Sequence, residues 1–229
     1  MIELIIFDLD GTLLDTLDDL AVSANYALRK HGYPGHELSA YRHFVGKGIT
    51  KLIERALPAE AVHDDIISEL RKEFVTYYQQ HKTDFTRPYP GIPELLVRLR
   101  KKNIRLAVAS NKYQQGTSEL IDHFFGRNLF SAVLGQRENI PTKPDPAIVT
   151  EILGQTGIGK SATLYVGDSG IDMQTARNGG LVSIGVTWGF RPRQELEENG
   201  ACYLADTPEE IDGYIQQIRN PNDIASSDN

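Results

Sequence analysis

The sequence has one cysteine, Cys202, in 229 residues, so no disulfide can close within the chain, and a reducing, cytoplasmic setting is expected. It has no apolar run long enough to cross a membrane, and no basic leader or cleavage signal opens it. It also lacks a positive excess. Twenty-four Lys and Arg stand against 31 Asp and Glu, a net charge of −7, and that field repels nucleic acid. A polyanionic ligand would need a local positive pocket or a metal ion to receive it. There is no internal repeat and no low-complexity tract. Cys202 itself reads as a small, buried apolar residue and not as a nucleophile.

What is present is a soluble composition, 40% hydrophobic and 24% charged, in a chain long enough for one large domain or two unequal ones. An Ile- and Leu-rich run over residues 1–7 is too short for an ordinary helix and reads as a buried strand. It stops at Asp8 and Asp10, with Gly11 behind them to allow a sharp turn. Apolar residues then recur three and four apart from Leu17 to Leu28, a helix that Asp15 and Thr16 can cap. Helical signals continue to about residue 82, including 49–57 and one long stretch over 59–81. Past the turn residues of 87–91, strands at 105–109, 132–134, 163–166, 181–186 and 202–204 alternate with helices at 92–102, 114–124, 145–154, 171–178 and 208–219.

Such alternation implies an α/β, Rossmann-like parallel sheet with helices on both faces, interrupted after its first strand by a smaller helical cap domain. The expected division is a core of residues 1–14 and 85–220, a cap of residues 15–84 and a frayed tail over 221–229. Linkers at 13–18 and 83–90 would let the cap hinge over a site at the strand ends.

Four polar clusters follow strands of this sheet: Asp8 with Asp10, Ser110 with Asn111, Lys143, and Asp168 with Asp172. Each alone has a plain explanation as a cap, a turn or a solvated charge. Together, on one edge of a parallel sheet, they point to phosphoryl transfer. Clustered carboxylates repel one another and need a cation, and an oxygen-only donor set favours a hard ion such as Mg²⁺. A carboxylate attacking a phosphate dianion meets about 4 kcal/mol of repulsion per charge pair at contact, which the ion and Lys143 would offset. An aspartate needs no base to make it nucleophilic, and a second carboxylate can handle the proton transfers.

The motifs Asp8-Leu-Asp-Gly-Thr12, Ser110, Lys143-Pro-Asp-Pro146 and Gly167-Asp-Ser-Gly-Ile-Asp172 resemble the four motifs of the haloacid dehalogenase-like hydrolase superfamily, in order. Having both Asp8 and Asp10 resembles its phosphatase branch, with a helical cap of subclass I. The resemblance implies Asp8 as nucleophile, forming an aspartyl-phosphate, and Asp10 as general acid and base, its carbonyl also reaching Mg²⁺. It further implies Lys143 and Ser110 as phosphate partners, Thr12 and Asn111 lining the phosphate pocket, and Asp168 as a metal ligand. Asp172 is implied either as a ligand through water or as support for Lys143.

Asp8 to Thr16, Arg42-His-Phe-Val-Gly-Lys-Gly48 and Gly185-Val-Thr-Trp-Gly189 are similar to the phosphoglycolate phosphatase-like group. Gly46 and Lys47 would then meet a substrate carboxylate, or else turn the chain and stay solvated; both readings stand. Arg42 reads as a surface residue, Trp188 as packing, and Tyr77 and Tyr78 as core and rim. The expectation is a monomeric or dimeric enzyme that hydrolyses a small phosphorylated metabolite, without nucleic-acid or membrane partners. Pyrophosphate or a nucleoside monophosphate is the alternative substrate. A phosphomutase or a non-catalytic binding protein is the more distant alternative.

Overall fold

The computed structural model describes residues 1–218. The expected end of the last helix at Arg219 and the expected frayed tail of 221–229 lie outside the described residues. Strand β1 (Leu4–Phe7) is buried along its whole length. Its side chains divide with the period of a strand: Ile5 and Phe7 enter the apolar cluster on one face of the sheet, Leu4 and Ile6 the cluster on the other. Each such fully buried side chain contributes about 1.5–3 kcal/mol.

A two-residue strand β2 (Leu14–Asp15) leads to four helices, α1 (Leu17–Lys30), α2 (Leu38–Phe44), α3 (Gly48–Ala56) and α4 (Asp64–His81). Strand β3 (Arg87–Pro88) then pairs antiparallel with β2, so the helical segment leaves and rejoins at one place. The rest alternates: α5 (Ile92–Lys101), β4 (Arg105–Tyr113), α6 (Gln114–Phe125), β5 (Ala132–Gln136), α7 (Ala147–Thr156), β6 (Thr163–Gly167), α8 (Gly170–Gly179), β7 (Val182–Val186), α9 (Arg193–Glu198), β8 (Tyr203–Ala205) and α10 (Pro208–Gln217).

Six strands form one sheet in the order β5-β4-β1-β6-β7-β8, every neighbouring pair parallel. The expected α/β sheet with helices on both faces is therefore borne out. The strand order reverses at β1, with β4 on one side and β6 on the other. Ligands bind at the carboxyl ends of strands at such a switch point.

The inserted helices hold an apolar cluster of their own, including Leu28, Tyr41, Ile53, Leu70 and Phe74. Its seat on the sheet layer is fixed by Asp19, a buried carboxylate on α1. Asp19 accepts hydrogen bonds from the Phe85 and Thr86 amides and from the Thr86 hydroxyl, at 2.7 to 3.0 Å for the three shortest contacts. One carboxylate thus ties the outgoing connection to the returning one.

Several local expectations give way. The long helix expected over 59–81 is a 3₁₀ turn (Ala59–Ala61) followed by α4, because His63 is extended between them. The strand expected to end at residue 109 runs on to Tyr113, through an irregularity in its pairing between Ala109 and Tyr113. Helix α9 and the β2–β3 pair were not foreseen. Thr16 makes no side-chain cap on α1; its hydroxyl turns to Asp10 instead. Cys202 is exposed, not buried, since it precedes the three-residue edge strand, where little of the fold remains to cover it.

Asp19→Ala leaves three donors without their acceptor. We expect a loss of about 2–4 kcal/mol, seen as a lower urea midpoint at an unchanged slope. A midpoint equal to that of the wild type would refute the clasp.

Candidate active site

Strands β1, β4 and β6 deliver the polar residues to one rim. Asp8 follows β1 directly, its amide bonded to the Val166 carbonyl of β6. Gly11 takes φ +90°, and a Cβ there would lie 2.3 Å from Asp168 Oδ2, so only glycine lets the turn after β1 approach that carboxylate. Asp172 is fixed by a capping box at the start of α8: its carboxylate takes the Ser169 amide and hydroxyl, while Ser169 Oγ accepts from the Asp172 amide.

Carboxylate oxygens of Asp8, Asp168 and Asp172 lie within 4.8 Å of one another, all buried. Lys143 Nζ stands among them, 2.7 Å from Asp172 Oδ1 and 2.8 Å from Asp8 Oδ1. It also donates to the Ala109 carbonyl at 2.9 Å and meets the Tyr165 hydroxyl at 3.2 Å. The contact with Asp8 lacks hydrogen-bond alignment, and Asp8 Oδ1 is a buried oxygen without a hydrogen-bond donor.

Burial and the neighbouring Asp172 push the Asp8 carboxyl up to about 7, against the lowering effect of Lys143. Burial, followed by Asp172 and Asp8, likewise holds Asp168 well above the ordinary carboxylate range. Burial alone would lower Lys143, but Asp172 and Asp8 outweigh it and hold the ammonium well above its usual value. The cluster is thus short of positive charge. A divalent cation fits these residues, on the strength of an Asp8 oxygen that no donor meets in hydrogen-bond geometry and an all-oxygen donor set.

The expected residues separate by role. Asp8, Asp10, Ser110, Asn111 and Gly46 line a common cavity. Ser110 Oγ accepts from the Lys112 amide, which leaves its proton free. Asn111 gives its amide to backbone, donating to the Gly46 and Lys143 carbonyls and accepting from the Lys143 amide. Thr12 is outside the cavity wall; its hydroxyl donates to Asp168 Oδ1 at 3.3 Å. Both Asp172 oxygens are occupied, by Lys143 and by Ser169. Lys47 is exposed and outside the cavity wall. Arg42 is exposed, and donates to the Gly189 carbonyl at 3.3 Å. Trp188 packs against the sheet's apolar cluster and donates to the Thr12 carbonyl.

Lys112 went unnoticed in the sequence. Its side chain is 4% exposed, and its ammonium lies 2.9 Å from Asp10 Oδ1 and 3.2 Å from Oδ2. Thr16 donates to the same Oδ1 at 2.7 Å, so Asp10 is held from two sides. The available signal was spacing: on an extended strand, a residue two past Ser110 shares its face.

Residues 5–186 match the family model described as haloacid dehalogenase-like hydrolase. The chain belongs to that family. A phosphoglycolate phosphatase of Pseudomonas savastanoi pv. phaseolicola is 33% identical over 93% of this chain and 80% of its own length. One from Aliivibrio fischeri is 34% identical over 90% of this chain and 92% of its own. A crystal structure described as that of a predicted phosphoglycolate phosphatase from Haemophilus somnus 129Pt superposes with a TM-score of 0.88. It is 29% identical, covering 94% of this chain and 98% of that one. The expected hydrolase family, and the likeness to its phosphoglycolate phosphatase-like members, are borne out.

The raised Asp8 gives a pH test with a definite sign. The folded chain keeps the Asp8 proton between the ordinary 3.8 and about 7, where the unfolded chain has released it. Stability without divalent cations should therefore fall as pH rises through that window. Asp8→Asn should flatten the fall in thermal midpoint; an unchanged slope would mean that Asp8 is not the titrating group.

Proposed function

We propose that this enzyme hydrolyses a small phosphate monoester through a phosphoryl group held covalently on Asp8, with Mg²⁺ as cofactor and 2-phosphoglycolate as substrate. The observation that carries it is the convergence of Asp8, Asp168 and Asp172, with Lys143 against Asp8 and Asp172, at the switch point of the sheet. The curated relatives' names support the substrate.

Asp8 and Asp168 would hold the cation, with the Asp10 carbonyl; Asp172, its oxygens already bonded, serves to hold Lys143. When bound, Mg²⁺ supplies positive charge that keeps Asp8 ionised and screens it from the phosphate dianion. An Asp8 oxygen attacks phosphorus as the bond to the leaving oxygen breaks, and Asp10, as general acid, gives that oxygen a proton. Asp10, now a carboxylate, then takes a proton from the water that attacks the aspartyl-phosphate. The bond from phosphorus to Asp8 breaks, and phosphate leaves. Lys143 and the Ser110 hydroxyl stand by the charge that develops on the phosphoryl oxygens. Lys112 and Thr16 keep the Asp10 carboxyl aimed through both proton transfers.

Steady-state assay of 2-phosphoglycolate hydrolysis tests this. Asp8→Asn should lower kcat by roughly 10³-fold or more while the circular dichroism spectrum stays native; retained turnover would eliminate Asp8 as nucleophile. Chelation of divalent metal should abolish activity, and Mg²⁺ should restore it. Added Mg²⁺ should also raise the thermal midpoint, by an amount that Asp168→Asn removes. Full activity in chelator would rule out the cofactor.

A further inference from the structure

The cavity beside Asp8 has two unlike walls. The sheet contributes Asp8, Asp10, Ser110 and Lys112, whereas the inserted helices contribute apolar side chains such as Leu20, Ile49, Leu52 and Phe74. Tyr78, on α4, is the exception. It is fully buried, it lines the cavity, and its hydroxyl has no hydrogen-bond partner.

A buried hydroxyl without a protein partner is costly and rare in folded proteins, and next to a cavity it is available to a ligand atom. Burial, then the charge of Asp10, holds the Tyr78 phenol well above its ordinary value, so it keeps its proton and acts as a donor. Beside it is the one cation in the cavity wall among the described residues. Lys112 Nζ lies 4.8 Å from the centre of the Tyr78 ring and contacts Asp10 with at most two of its three N–H groups. A proton donor on the apolar wall and an ammonium on the polar one, its charge shared with Asp10, together offer donors to a small anion.

We propose that the Tyr78 hydroxyl and the Lys112 ammonium form the subsite for a carboxylate on the leaving group of the substrate. The assignment rests on the phosphatase function proposed above and adds the chemistry by which the substrate is chosen. Lys47, exposed and outside the cavity wall, has no part in it. Tyr78 comes from the insert and Lys112 from the sheet layer, so the subsite is complete only when the two are together. A carboxylated substrate then draws the helices onto Asp10, and an ester without the carboxylate does not.

Tyr78→Phe removes one oxygen and leaves the ring over Lys112. The test compares 2-phosphoglycolate with ethyl phosphate, in which a methyl replaces the carboxylate. The ratio of kcat/KM for the two should fall about tenfold in the variant, carried by KM for 2-phosphoglycolate, with no loss in thermal midpoint. A ratio equal to that of the wild type would overturn the subsite, as would an equal rise in KM for both esters. Calorimetric titration in the Asp8→Asn background reads binding apart from turnover. There Tyr78→Phe should weaken 2-phosphoglycolate about tenfold more than ethyl phosphate, even if wild-type turnover proves absent and the hydrolytic function fails. Equal weakening of both ligands would exclude carboxylate recognition.

Discussion

Mutual repulsion among buried carboxylates is the constraint on which this protein depends. Asp8, Asp168 and Asp172 bring oxygens within 4.8 Å of one another in a place with little water to screen them. One ammonium, Lys143, cannot neutralise three such groups, and the raised Asp8 and Asp168 are the consequence. The fold tolerates this because each group is fixed by something rigid: a strand end for Asp8, the Phe190 amide for Asp168, a capping box for Asp172. Charge deficit held in a stiff frame is a preorganised arrangement, in which neither the frame nor its dipoles need to move to meet a positive charge.

The same frame assigns distinct work to side chains that look alike in the sequence. Asp8 and Asp10 are two residues apart, yet Asp8 faces Lys143 while Asp10 faces Lys112 and Thr16. Asp168 and Asp172 are four apart, yet Asp172 meets Lys143 and Ser169 while Asp168 accepts from the Thr12 hydroxyl and the Phe190 amide. Environment, not residue type, gives these four aspartates their different partners.

Much of this was legible because strand ends are legible. Short apolar runs stopping at Asp8, Ser110 and Asp168 marked the rim, and parallel topology placed them side by side. What escaped detection was set by direction and distance. Lys112 lies beyond the point where the apolar run of β4 stops, so the strand's continuation and its inward turn were invisible. Asp19 bonds to residues 66 and 67 positions away, and no local pattern reports such a contact. Thr16 had an ordinary role available as a helix cap, which the nearby Asp10 overrode. Thr12 and Asn111 were both expected to line the phosphate pocket; Asn111 lines the cavity and Thr12 does not, and their hydrogen bonds to Asp168 and to backbone depend on side-chain geometry that spacing does not encode. Cys202 was misjudged because an edge strand offers less cover than composition implies.

The pairing of Leu14–Asp15 with Arg87–Pro88 has a consequence for how such a chain diversifies. About seventy residues leave and return through a single doorway two residues wide, and the sheet is continuous without them. Lengthening, trimming or exchanging that segment alters the roof over the rim and leaves the chemistry beneath it untouched. A lineage built on this plan can therefore explore new substrates one roof at a time, with the catalytic floor inherited whole.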